Sequence, residues 1–302
     1  MPWIAIALGS AAISSWTNIL DKAAMHGYMR SPWTLPLLIG LIHGAIGGVI
    51  TLVAPWPEGA TAAHFGWAIL SGVLFGLGAA IGIYVLFYRE VSRVIPVWQT
   101  FPIFTSIMAV IFLDEHLEPI HWVAILVVVG GAALISVRQT GGSGRFALDT
   151  TFFALILAAF ITGSAHITSK IALDELPVIN THGLRAIGLG IVFLPLGLRR
   201  EAIREIRTMV RTRSRGLGFV AVNEFVIANV GLLLTLWAIS QGPVSLVTTL
   251  TSTRTFFVVL YSTALAVRFP GFLGEETTRQ AVTVKIASTL LIVAGIATIS
   301  LR

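Results

Sequence analysis

The chain has 302 residues, 56% of them hydrophobic and only 11% charged, with a mean hydropathy of +0.88. A soluble globular domain carries about 25% charged residues, so this composition excludes a water-soluble fold and calls for a bilayer to cover the apolar surface. The net charge of +6 suggests nucleic acid at first sight, but the Lys and Arg residues sit at the ends of apolar runs, the arrangement that orients a membrane protein, and no nucleic-acid partner is expected. Cysteine is absent, which removes a disulfide framework, a Cys-based metal site and thiol chemistry.

Ten apolar runs follow in chain order: 2–25, 32–54, 64–88, 92–113 and 119–137, then 149–173, 180–198, 216–240, 243–267 and 280–301. Each is long enough to cross roughly 30 Å of hydrocarbon as a helix, and helices are required because lipid offers no partners to backbone N–H and C=O groups. The first run lacks a basic leader region and a cleavage site, so it is expected to remain as a span. The expected fold is an all-α integral membrane protein of ten transmembrane helices. Most connections are short; the longer ones are Pro55 to Ala63, a Gly-rich link around Gly141 to Gly144, Arg199 to Arg215, and Phe269 to Arg279.

The chain reads as one unit written twice. Val129 to Arg138 is VGGAALISVR and Val293 to Arg302 is VAGIATISLR, identical at six of ten positions. Ile13 to Ala24, ISSWTNILDKAA, is echoed by Ile161 to Ala172, ITGSAHITSKIA, which aligns Lys22 with Lys170 and Asn18 with His166. The boundaries that follow are a first five-helix repeat over 1–138, a Gly-rich connection over 139–148 and a second five-helix repeat over 149–302. Five spans per repeat place the two halves in opposite orientations, the inverted arrangement of many secondary transporters.

Connections after odd-numbered spans hold fifteen Lys and Arg residues, seven of them between Arg199 and Arg215, whereas those after even-numbered spans hold none. Basic flanks favour the cytoplasm. The odd connections are therefore expected inside and both termini outside, in a cytoplasmic (inner) membrane. Within Arg199 to Arg215, Ile203, Ile206 and Val210 recur at helical spacing, which suggests an amphipathic helix lying on anionic lipid.

The fourth and fifth spans, VIPVWQTFPIFTSIMAVIFLDEHLEPIHWVAILVVVGGAALI from Val94 to Ile135, resemble the drug/metabolite transporter superfamily, in particular its EamA-type members with two five-helix repeats. The shared pattern is a Pro-containing helix, a short acidic connection (Asp114-Glu115) and a Gly-rich helix, repeated more loosely with Glu275-Glu276. The resemblance implies small-metabolite transport, with export as its direction, and cytoplasmic termini. On the termini the arginine distribution says the opposite, and the expectation here follows the arginines.

Charged groups deep in a span are expensive and mark function or pairing. Arg254, in the middle of the ninth span, is a candidate for an anionic substrate group, with permanent pairing to Glu224 as the structural alternative. Glu224, in the eighth span, could be that counter-charge, a proton-coupling group or a cation ligand; Asn223 and Asn229 extend its polar face. Trp98 and Gln99, bracketed by Pro96 and Pro102, offer an aromatic face and an amide to a substrate, although a Trp near a span end also suits the interfacial belt. His43 and His166 are candidates for proton transfer or for plain hydrogen bonding. Lys22, Lys170 and Arg185 are candidate gates or anchors. The glycines of span three, Gly72, Gly76, Gly78 and Gly82, permit close helix packing.

No phosphate-binding loop, zinc-protease helix or nucleophile elbow is present in the sequence, so no cofactor and no enzymatic role is expected. The leading expectation is a secondary active transporter of small metabolites, of amino acids or other organic anions, working by alternating access, with proton coupling open. The alternatives are a flippase for a lipid-linked intermediate and an exporter of organic cations or drugs.

Overall fold

The computed structural model describes residues 2–89, 91–138 and 150–268, with positions 291, 294, 295 and 298 beyond them. Most of the tenth expected span, the Gly-rich connection and Glu275-Glu276 thus lie outside the described residues. Every described element is a helix. In chain order they are α1 (Pro2–Tyr28), α2 (Thr34–Val53), α3 (Ala62–Tyr88), α4 (Val91–Trp98), α5 (Phe101–Phe112), α6 (Pro119–Arg138), α7 (Thr150–Leu173), α8 (Val178–Gly197), α9 (Arg200–Arg211), α10 (Arg215–Val222), a π-helical segment over Asn223–Ala228, α11 (Asn229–Gln241), α12 (Val244–Ser252) and α13 (Arg254–Arg268).

Among the described residues, six helices are long and apolar enough to cross a membrane: α1, α2, α3, α7, α8 and the composite Arg215–Gln241. α5 and the Pro119–Gly130 part of α6 are shorter apolar helices. Large side chains such as Leu52, Phe112, Leu126 and Phe153 are exposed on the outside of the bundle, as lipid-facing surfaces require. The expected fourth, eighth and ninth spans are each interrupted, as α4/α5, α10/α11 and α12/α13.

Small residues set the packing. α2 runs along α8, and α3 packs on both α7 and α8. A Cβ at Gly72 of α3 would land on the backbone carbonyl of Arg185 in α8, and one at Gly82 would lie 2.5 Å from the Trp98 ring. Such close approach supplies dispersion contact where lipid removes any hydrophobic preference between helices. Packing across the two halves is reciprocal: α7 lies against α3, α4 and α5, while α1 lies against α11, α12 and α13.

Charged side chains fasten the ends. Lys22 Nζ donates to the Leu86 and Arg89 carbonyls at 2.9 and 3.0 Å, at the end of α3. Lys170 Nζ donates to the Ile239 carbonyl at 3.2 Å, near the end of α11. Cations stabilise helix C-termini by roughly 0.3–1 kcal/mol. The Glu115 carboxylate accepts from Val244 N at 2.6 Å and from Ser245 N at 3.3 Å, at the start of α12. Here the acidic connection serves as a helix cap across the two halves.

The segment after Arg199 forms α9, as its helical spacing predicts, but its buried residues are Ala202 and Met209, with Ile206 partly packed on the core. Ile203 and Val210 are exposed. Glu205 ties the helix to the start of α2, accepting from Arg30 N at 2.6 Å and Thr34 Oγ1 at 2.5 Å.

Candidate functional site

Two helix breaks meet at the centre. Pro102 has no N–H, so the hydrogen-bond ladder cannot continue across Trp98 and Gln99, and Thr100 N donates to Val97 O instead, at 3.2 Å. The helix thus breaks at Pro102, whereas Pro96 lies inside α4 without interrupting it. In the other half the break falls at Thr253, between α12 and α13. The hydroxyls of Thr248, Thr249, Thr251, Ser252 and Thr253 donate back to carbonyls of the preceding turn at 2.6–2.9 Å. Such back-bonding bends helices, which fits the break at Thr253 without a proline.

Between the breaks is a cavity of about 40 Å³, lined by Gln99, Trp98, Phe75, Phe101, His166 and Arg254, with hydroxyls from Ser10, Ser14, Thr162, Thr235 and Thr251. This is space for a few water molecules, well below the roughly 300–1,000 Å³ of a small-molecule pocket. Its polar groups are underused. Gln99 Oε1 and His166 Nδ1 are buried without a hydrogen-bond partner, and Arg254, half-buried at the start of α13, has no hydrogen bond to a described residue. Trp98 is an interior residue rather than an interfacial one: its Nε1 donates to Thr162 Oγ1 at 3.0 Å and it is 9% exposed. The His166 ring lies against Phe101 at 5.1 Å and edge-on to Phe75 at 6.1 Å.

A second cluster adjoins the cavity. The π-helical turn carries Asn223 and Glu224, and π-turns inside α-helices often mark functional positions. Glu224 Oε2 lies 3.0 Å from His43 Nε2 of α2. Asn223 Nδ2 donates to Glu224 Oε1 at 3.1 Å and to Asp21 Oδ1 of α1 at 2.7 Å. The Asn229 amide donates to the Glu224 backbone carbonyl, and its Oδ1 lies 2.9 Å from His182 Nε2. Asp21, His43, Asn223, Glu224 and Asn229 are all buried. Among the described residues no ion pair joins Glu224 to Arg254, which corrects the pairing weighed from sequence: the partner of Glu224 is His43. The carboxyl in electrostatic reach of Arg254 is Asp21. Glu224, Asn223, Asn229 and His43 are likewise not among the residues lining the cavity.

Of the two roles expected for Arg185, gate or anchor, an interfacial anchor does not fit: it is 1% exposed, donates from Nη1 to Ser169 Oγ at 2.6 Å and lies over the Phe75 ring. Lys170 lies in the last turn of α7, whereas Lys22 lies nearly two turns inside α1, and each binds carbonyls at the end of a neighbouring helix.

Of the expected candidates, the structure gathers Arg254, Trp98, Gln99 and His166 around one cavity and Glu224, Asn223, Asn229 and His43 into the neighbouring cluster. Sequence reasoning missed Asp21, His182 and the apolar cavity walls. Asp21 carried a usable signal: α1 continues to Tyr28, so the acid lies about two turns inside the helix rather than at its end. Phe75 and Phe101 carried none, because one Phe in an apolar helix looks like another.

The model of the EamA-like transporter family matches residues 1–137 and 150–301 of the chain. No curated protein matches it significantly. A solved structure described only as "Crystal structure of protein" is similar in fold, with a TM-score of 0.62 and 20% identity, covering 97% of this chain and 95% of that one.

Proposed function

Because the chain belongs to the EamA-like transporter family, we propose that it is a secondary transporter of small organic anions, amino acids among them, in which Arg254 binds the anionic group. The observation that carries this reading is Arg254 itself: a cation at a helix break, at the edge of a central cavity, with no hydrogen bond to a described residue. A guanidinium offers a planar fork of donors that matches carboxylate and phosphate, and broken helices at the midplane are where transporters place their sites. The neighbouring amide of Gln99 and the cavity hydroxyls supply further polar contacts.

Ten spans in two inverted repeats are part of the same proposal. Its supports are the two stretches matched by the family model, the reciprocal packing of α1 and α7 on helices of the opposite half, the paired breaks in spans four and nine, and the equivalent lysine caps at Leu86 and Ile239. Rocking of one half against the other opens the cavity to each side in turn. The arginine-rich connections lie in the cytoplasm of the cell, facing the inner leaflet, and export is the direction that the family resemblance favours. The Asp21–Asn223–Glu224–His43 cluster carries a coupled proton, since His43 belongs to the first half and Glu224 to the second.

An uptake screen in proteoliposomes tests the reading. Organic acids and anionic amino acids are expected to enter, and organic cations to be ignored. Uptake of cations alone would contradict the anion site, and scrambling of lipid-linked headgroups without organic-acid uptake would point to a flippase instead.

A further inference from the structure

Arg185 has no place in the proposed reading so far, and its surroundings are unusual. It is 1% exposed, and two of its nitrogens, Nε and Nη2, have no hydrogen-bond partner. No described carboxylate forms an ion pair with it. Its one hydrogen bond goes to the neutral Ser169 hydroxyl, and its guanidinium carbon lies 4.4 Å from the centre of the Phe75 ring. Buried charges are normally paired and their donors satisfied; a guanidinium held by one hydroxyl and one aromatic face keeps most of its donor fork unused.

The position is fixed from behind. The Arg185 backbone is clamped against Gly72 of α3, and Phe75 is three residues further along the same helix. Phe75 also lines the cavity edged by Arg254, and its ring meets His166, which feels the charge of both arginines. One aromatic side chain therefore touches both the cavity and the second cation, and a change in its rotamer joins the two.

We infer that Arg185 is a second anion-binding group of the transport path, uncovered when Phe75 turns, and that the substrate carries two negatively charged oxygen groups. This rests on the reading of Arg254 as the first anion-binding group. A monoanion at Arg254 leaves the buried Arg185 without a counter-charge. A dianion offsets both, and it supplies acceptors for Nε and Nη2. Asp21 does not substitute for it, because that carboxyl is in electrostatic reach of Arg254 and not of Arg185. A dicarboxylate and a phosphate monoester share this chemistry.

The full chain in detergent micelles is titrated with succinate, with inorganic phosphate and with butyrate, a monocarboxylate of the same carbon count as succinate, and binding is read from the thermal midpoint. At least one dianion is expected to bind tenfold or more tightly than butyrate. Succinate alone assigns dicarboxylates; phosphate alone assigns phosphorylated substrates. Arg185→Gln is expected to erase the preference for the dianion, and Arg185→Lys to restore part of it. Phe75→Ala removes the cover and is expected to tighten dianion binding, which keeps a test available if the arginine variants fail to fold. Equal binding of dianions and butyrate to the wild type, an undiminished preference in Arg185→Gln, or unchanged dianion affinity in Phe75→Ala overturns the inference. If Arg254→Gln binds every anion as the wild type does, the proposed function fails; if only the Arg185 and Phe75 variants are without effect, this inference fails alone.

Discussion

Gly72→Leu is expected to yield protein that does not survive purification as a single folded species. The α3–α8 crossing places backbone on backbone. A Cβ at Gly72 collides with the carbonyl of Arg185, and a Cβ at Gly188 would come within 2.8 Å of the Gly72 Cα. No side-chain rotamer relieves an overlap with main chain, so the helices must separate. Overpacking of this kind costs about 1–3 kcal/mol or more, and the loss extends to the contacts of Arg185 with Ser169 and Phe75. Gly66, on the same helix with nothing within 4 Å of its added Cβ, is the control, and Gly66→Leu is expected to behave as the wild type does. Size-exclusion profiles and thermal midpoints in detergent check both. A Gly72→Leu protein as stable as the wild type would mean that α3 and α8 do not cross at this point.

The second large effect concerns coupling. A pH gradient imposed across proteoliposomes is expected to accumulate the transported anion up to about tenfold per pH unit for one coupled proton, since one unit is worth 1.36 kcal/mol. Glu224→Gln is expected to bring that ratio down to about one. In the proposed reading the coupled proton is shared across the 3.0 Å contact between Glu224 Oε2 and His43 Nε2, with Asn223 linking Glu224 to Asp21. Arg254 is in electrostatic reach of Asp21, and His182 of His43; Arg185 lies beyond His182 on α8. Glutamine keeps the shape and an acceptor oxygen but cannot take up the proton. Because the contact joins the two halves, gaining or losing a proton there biases their packing, which is what coupling requires. A Glu224→Gln protein that still accumulates the anion in response to pH would move the coupling site elsewhere.

Hydropathy made the spans legible, and small-residue spacing made the tight face of α3 legible before any contact was known. Arg254, Trp98, Gln99 and His166 stood out because polar or bulky groups in apolar runs need a reason, and they do line one cavity. What the residues could not reveal was pairing. His43 and Glu224 are 181 positions apart, and no local periodicity connects them, so the sequence offers Arg254, another charge deep in an apolar run, as the partner of Glu224. The helix breaks were half legible: Pro102 announces one, whereas the break at Thr253 has no proline and depends on a run of hydroxyls bonding to their own helix. Arg185 reads in sequence as a gate or an anchor because it is near the start of its span, and only the packing of α3 on α8 shows that position to be interior.

The central claim is that an anion meets Arg254. Uptake of the organic acid selected by the screen, compared among wild type, Arg254→Lys and Arg254→Gln proteoliposomes of equal protein content, tests it most directly. The account predicts a loss of about a hundredfold or more for glutamine, in line with the roughly 2–5 kcal/mol lost when one member of a buried, hydrogen-bonded charge pair is removed. It predicts partial retention for lysine, which keeps the charge without the planar fork. A folded Arg254→Gln protein that transports the acid at the wild-type rate would contradict it.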